Sequence, residues 1–231
     1  IETVQLNWEE EIAVLEISQF GTNTEQEFQK ALETAITENA KGIILDLRFN
    51  SGGFLDTAVE VVSAFKKTGK VVIQKGRPPE TNVIYTTGNV KTDLPLVVLQ
   101  NRGSASASEI VSGAIQDLQR GIVMGDQSFG KGTVQEVVPM QNGAHLRLTI
   151  AKWLTPNGRD IGKVGITPDI LIERTTEDYE EERDPQMEAA VKYLNNEMSI
   201  EEIRDQYEKE PNTEDTSDEE EVDEVQDEEE E

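Results

Sequence analysis

Cysteine is absent from all 231 residues, which excludes disulfides and thiolate metal sites and permits an oxidising compartment without requiring one. There is one histidine, His145, so a zinc hydrolase would have only scattered carboxylates as further ligands, and a Ser-His-Asp triad would depend on that single ring. In the run His145-Leu-Arg-Leu-Thr-Ile150 it alternates with apolar residues and reads as an exposed strand residue, on the polar face with Arg147 and Thr149. Basic residues are scarce: 21 against 47 acids give a net charge of −26, which argues against a basic face for nucleic acid or anionic lipid. No stretch approaches the roughly 18 apolar residues of a membrane span. The sequence opens at Ile1 without a signal-like segment, which suggests a trimmed or mature fragment; any anchor or export signal is expected outside it.

What is present suffices for one α/β core, since 35% of the chain is hydrophobic. Half of the net charge lies at one end, where Pro211 to Glu231 holds 13 carboxylates and no base. With almost nothing apolar to bury, that segment is expected to be a solvated, self-repelling tail. The expected organisation is therefore a core over 1–210 and an acidic tail over 211–231.

Glu11 to Phe20 reads as a strand. A helix follows whose start is marked by Thr22 and Glu25 as a possible capping box, with Phe28, Ala31, Leu32, Ala35 and Ile36 on one stripe. Gly42 to Leu47 is a continuously apolar run typical of a buried parallel strand, and the turn Asn50-Ser-Gly-Gly53 leads to a helix over Leu55 to Phe65. Short strands are expected at Val71–Gln74 and Val83–Thr86, and a buried one at Pro95–Gln100 runs through the turn Asn101–Ser104 into a helix over about Ser106–Leu118. Strands at Ile122–Met124, Thr133–Val138 and His145–Ala151 come next. Asp184 followed by Pro185 marks an N-cap and first helical position for a helix ending near Leu194, and a last amphipathic helix lies near Ile200–Tyr207. Alternating strands and helices imply parallel pairing with right-handed crossovers in a layered α/β domain.

Two segments carry chemistry. Ser106, in Gly103-Ser-Ala-Ser-Ala-Ser-Glu109, lies where a buried strand gives way to a helix. There a hydroxyl can project from the sheet's carboxyl edge while amides and the helix dipole face the same space. This is the setting of a nucleophile elbow, although the GxSxG pattern is missing. Read alone, Ser104, Ser106 and Ser108 are capping and loop serines. The second segment, Asp126-Gln-Ser-Phe-Gly-Lys-Gly-Thr-Val-Gln135, places Lys131 between Phe129, Gly130, Gly132 and Val134. A lysine can take the proton of a serine only in its uncharged form, which burial favours. These flanks are expected to strip the amine of part of its water, the alternative being a glycine-flanked lysine in solvent. Gly125, Gly130 and Lys131 also approach the P-loop pattern, but Gly132 stands where the magnesium-binding hydroxyl belongs and a strand follows instead of a helix.

The chain resembles the carboxyl-terminal processing peptidases, or tail-specific proteases, from about Ile12 to Leu194. The marks are Leu45-Asp-Leu-Arg-Phe-Asn-Ser-Gly-Gly53, Ser104-Ala-Ser-Ala-Ser-Glu-Ile110, Gly125-Asp-Gln-Ser-Phe-Gly-Lys-Gly132 with Gln135, Thr155-Pro-Asn-Gly-Arg159, Gly165-Ile-Thr-Pro-Asp169 and Asp184-Pro-Gln186. The resemblance implies Ser106 as nucleophile, Lys131 as general base, Gln135 as the residue orienting the lysine, and the backbone amides of Gly52 and Ala107 as the oxyanion hole. Four residues past Lys131 on a presumed strand, Gln135 would share its face. It further implies a crotonase-like α/β core with repeated β-β-α units, no cofactor or metal, protein or peptide substrates with apolar C-termini, and an extracytoplasmic location. Relatives usually carry a PDZ domain before the strand at Glu11–Phe20; the stretch ahead of that strand here is too short for one, so either a truncation or a core-only member is expected, and the likeness is to the peptidase core. Phe49 departs from the asparagine commoner at its position. Some relatives stay switched off by a displaced lysine until a partner binds, which leaves a non-catalytic or partner-activated peptide-binding scaffold, or a homo-oligomer, as the rival expectation. Acyl-CoA chemistry on the same fold has no feature here that demands it.

Overall fold

Ten strands and six helices follow one another in a computed structural model that describes residues 2–140 and 144–207; the acidic segment 211–231 lies outside them. In chain order these are β1 (Val4–Glu9), β2 (Ile12–Ile17), α1 (Thr24–Thr37), β3 (Gly42–Asp46), α2 (Leu55–Phe65), β4 (Lys70–Lys75), β5 (Thr81–Tyr85) and β6 (Leu96–Gln100). They continue with α3 (Ala107–Asp117), β7 (Ile122–Gly125), β8 (Thr133–Pro139), β9 (His145–Leu154), β10 (Ile170–Leu171), α4 (Thr176–Glu180), α5 (Pro185–Leu194) and α6 (Ile200–Tyr207).

The main sheet has the order β1-β2-β3-β6-β7-β10, with β1 antiparallel to β2 and every other neighbouring pair parallel. Its central strands are apolar on both faces because helices cover both. Ala13, Leu15 and Ile17 of β2 join Ile43 and Leu45 of β3 in a core shared with Phe28, Leu32, Val62 and Ile110 of α1, α2 and α3. The alternate residues Ile12, Val14 and Ile44 face Ala189, Leu194 and Ile203 of α5 and α6. Successive side chains on a strand point to opposite faces, so these short apolar runs serve two layers at once. Burial of this kind is worth about 25 cal/mol per Å² and supplies the main driving force.

A second sheet, in the order β5-β4-β9-β8, is wholly antiparallel. Parallel pairing expected from strand–helix alternation therefore holds only for the run β2-β3-β6-β7-β10 of the main sheet. The physical reason is connection length: β4 and β5, and likewise β8 and β9, are joined too closely for a crossover and can only fold back as hairpins.

The start of α1 also differs from expectation. Asn23, not Thr22, occupies the cap position, and its side chain makes no capping bond. The neighbouring Thr24 is buried, where its Oγ1 accepts from the Gly21 amide at 2.8 Å and donates to the Gln19 carbonyl at 2.9 Å. Glu27, one turn into the helix, accepts from the amides of Thr3 at 2.7 Å and Val4 at 3.2 Å and so fastens β1 to α1. At α5 the expected cap holds: Asp184 accepts from the Met187 amide at 3.0 Å ahead of Pro185.

Candidate active site

Three adjacent parallel strands, β3, β6 and β7, end side by side, and the loops leaving their carboxyl ends carry Asn50–Gly53, Asn101–Ser106 and Asp126–Lys131. Open α/β sheets commonly place their functional groups at this edge.

Ser106 sits at the N-cap of α3 with φ 55° and ψ −112°, a conformation that a residue with a Cβ adopts only under strain. Its hydroxyl faces the Glu109 amide without closing a hydrogen bond of ordinary geometry, and among the described residues it has no other partner. Its two serine neighbours have structural duties. Ser104 Oγ donates to the Leu47 carbonyl at 2.8 Å, and Ser108 Oγ donates to the Asn50 carbonyl at 2.8 Å, both fully buried. The loop-serine reading thus accounts fully for Ser104 and Ser108, while Ser106, also at a cap position, is half-exposed and its hydroxyl donates to no described residue.

Asn50 and Gly52 hold the Ser106 loop from the other side. Gly52 has φ +101°, and a Cβ on it would lie 2.7 Å from both the Ser106 Cβ and the Ala105 carbonyl oxygen, so only glycine permits this approach. The Asn50 side chain, fully buried, donates to the Ile17 carbonyl at 2.7 Å and accepts from the Gly52 amide at 2.8 Å. The Asn50 carbonyl accepts from the Ala105 amide at 3.0 Å. Of the two amides expected in an oxyanion hole, the one on Gly52 is therefore already engaged, while the one on Ala107 has no hydrogen-bonding partner among the described residues. Side-chain competition within the turn, invisible in a linear pattern, accounts for the difference.

Glu109 was not singled out from the sequence as a site residue, yet it ties the two chemical segments together. Fully buried, its Oε2 accepts from the amides of Ser106 at 2.8 Å and Lys131 at 2.9 Å, and its Oε1 accepts from Ser128 Oγ and the Gly130 amide, both at 2.6 Å. Four donors satisfy a carboxylate that would be costly to bury alone. The signal available in sequence was a Glu three residues after a capping serine; that it would also reach the lysine loop was not legible.

Lys131 itself departs from expectation. Its backbone is fixed by Glu109, but its side chain is exposed, Phe129 beside it is 64% exposed, and no hydrogen bond joins the amine to Ser106. The flanking glycines have a different cause from the enclosure inferred for them: a Cβ on Gly132 would lie 2.1 Å from the Gly162 amide nitrogen, because the segment 161–165 runs against this loop. Gln135 is also exposed. Lys131 precedes β8 rather than belonging to it, and the β8–β9 register shifts between Val134 and Gln135. The shared-face argument for the pair therefore fails, because a bulge re-aims the side chains that follow it. His145 is exposed on β9, as expected.

Beneath the Phe49–Gly53 loop, Arg48 donates to Asp46 at 2.7 Å and to Asp184 at 2.8 Å, with Gln186 at 3.1 Å. Burial alone would push this guanidinium down, but the two carboxylates outweigh it and hold it above its ordinary value. The α5 helix cap is thereby locked to the loop that carries Asn50 and Gly52.

Residues 11–172 match the family described as Peptidase family S41. A carboxy-terminal-processing protease of Bartonella bacilliformis is 41% identical over 180 residues, 75% of this chain and 42% of the relative. Carboxy-terminal processing protease CtpB of Bacillus subtilis is 40% identical over 164 residues, 71% of this chain and 34% of the relative. Among solved structures, a photosystem II D1 C-terminal processing protease superposes with a TM-score of 0.70 at 31% identity, covering 75% of this chain and 49% of that one. The chain thus spans less than half the length of these relatives, with the likeness running through the strands and loops that carry Ser106 and Lys131. It belongs to peptidase family S41.

Proposed function

We propose that the chain is the catalytic core of a serine endopeptidase that cuts protein substrates near their C-termini through a Ser106–Lys131 dyad. The observation that carries this reading is Ser106 itself, strained at φ 55° at the carboxyl edge of the sheet, with a hydroxyl that faces the Glu109 amide and donates to no described residue. A strained backbone at such a place fits a nucleophile held out toward substrate. Family membership and the names of the relatives support it, and the layered core is read as crotonase-like.

In the proposed reaction the uncharged Lys131 amine takes the Ser106 proton as Oγ bonds to the scissile carbonyl carbon, and the oxyanion forms beside the Ala107 amide. The C–N bond then breaks, the amine leaving group takes the proton from Lys131, and an acyl-serine remains. Water, deprotonated by the same lysine, releases the acid and restores Ser106. The amide of Gly52 can serve as second oxyanion donor only after leaving Asn50 Oδ1. Gln135 is proposed to orient the lysine once it turns inward, and no metal or cofactor enters any step. The compartment is read as extracytoplasmic and the substrates as protein chains with apolar C-termini.

One observation favours a second reading, a scaffold that needs a partner or a second copy before it cuts: the Lys131 amine stands in solvent with no bond to Ser106. The test is cleavage of an unfolded protein with an apolar C-terminus by the purified chain. Cleavage that is lost in Ser106→Ala and in Lys131→Ala, with unchanged circular dichroism, supports the dyad. Full activity in Lys131→Ala refutes it. Binding without cleavage favours the scaffold.

A further inference from the structure

Phe49 is held at φ +61°, a left-handed conformation that asparagine or glycine would occupy at lower cost, and its ring is 67% exposed. Strain at a buried core residue is offset by packing, but this ring buries little in the isolated chain. Its backbone is pinned: the Phe49 amide donates to Asn101 Oδ1 at 2.9 Å, and the same oxygen accepts from the Gly103 amide at 3.0 Å. A Cβ on Gly103 would lie 2.8 Å from Phe49 Cα and 3.2 Å from its ring Cδ1, so the ring rests against the turn Asn101–Ser104. Phe129, 64% exposed, hangs on the same turn through its amide, which donates to the Ser104 carbonyl at 2.9 Å. That turn ends two residues before Ser106. Single exposed apolar side chains are ordinary on a protein surface; two phenylalanines anchored to the turn that feeds the nucleophile, one of them in a strained conformation, are a different case.

We infer that Phe49 and Phe129 form an apolar clamp beside Ser106 that selects extended peptides carrying a large apolar side chain next to the bond to be cut. This rests on the peptidase reading, and it makes both residues specificity determinants rather than catalytic ones. The missing burial of the two rings would be supplied by substrate, and the strain at Phe49 persists because the ring must point outward.

The test uses the full chain and two quenched fluorogenic peptides that differ only in having Leu or Ser before the scissile bond. The expected result is a kcat/KM ratio of about tenfold or more in favour of Leu, the scale set by burying one such side chain. In Phe49→Asn and Phe129→Ser the ratio falls toward one, and Phe49→Asn melts at the same or a higher temperature because asparagine suits the left-handed backbone. A ratio unchanged in both variants overturns the clamp. Anisotropy with labelled forms of the same peptides on Ser106→Ala separates this from the peptidase reading. Preferential binding of the Leu peptide, lost in the Phe49→Asn double variant, upholds the clamp even if the unsubstituted chain cleaves nothing. Equal binding of both peptides overturns it.

Discussion

Around Ser106 the side chains of Asn50, Ser104, Ser108 and Glu109 are fully buried and hydrogen-bonded into the backbone, whereas around Lys131 the side chains of Phe129, Lys131 and Gln135 stand in solvent. The first region is tied down by construction: each of these four side chains is hydrogen-bonded, and displacing any one leaves a buried donor or acceptor unpaired. The second is held through its backbone, by Glu109 and by the close approach of 161–165, while the side chains of Phe129, Lys131 and Gln135 are exposed. In the proposed dyad, Ser106 is fixed by the fold while the Lys131 amine is not, so the lysine is the place where activity would be controlled.

The sharpest way to break this contrast is Glu109→Leu. It strands the Ser106, Gly130 and Lys131 amides and the Ser128 hydroxyl, so we expect a loss of at least about 3 kcal/mol in denaturant unfolding together with loss of proteolysis. If stability were untouched, Glu109 would not be the tie between the regions. Asn50→Ala comes next. It removes the bonds to Ile17 and Gly52 and should cost about 2–4 kcal/mol. A variant as stable as the parent would show that the nucleophile loop is not organised from Asn50.

Gln135→Ala probes the open region, with stability expected to stay within about 0.5 kcal/mol while turnover falls. A large loss of stability there would contradict the picture of an uncommitted base side.

The smallest effect lies far from the site. Glu27 is held below its ordinary carboxylate value by its hydrogen bonds from Thr3 and then Val4. A depressed acid contributes stability above its unfolded value and loses it as the pH falls through the folded one. The melting-temperature gap between the parent and Glu27→Gln should therefore be present at neutral pH and close as the pH drops below 4.5, the ordinary value. A gap that persists in acid would show that Glu27 acts by packing.

Local patterns made much of this legible in sequence. The apolar runs at Gly42–Leu47 and Pro95–Gln100, the helix over Leu55–Phe65 and the Asp184-Pro185 cap all fell where their periodicity or capping chemistry placed them, because each depends on neighbours in the chain. The place of Ser106 between a buried strand and a helix was legible for the same reason, but local pattern did not separate it from Ser104 and Ser108; the family resemblance did. β1 was missed although its residues alternate, since it is half-exposed and fixed by its antiparallel ladder with β2, and β10 is only two residues long. The setting of Lys131 depends on a segment thirty residues further on, and the engagement of Gly52 on an asparagine side chain folding back, so neither had a linear signature. The β8–β9 bulge that separates Gln135 from the lysine is likewise a property of the pair of strands.

The central claim, that Ser106 is the nucleophile, is tested most directly by intact-mass and peptide-mapping analysis after treatment with a fluorophosphonate. The account predicts one adduct, on Ser106, formed far more slowly in Lys131→Ala. An adduct on Ser104 or Ser108, or none on Ser106 under conditions where substrate is cleaved, would contradict it.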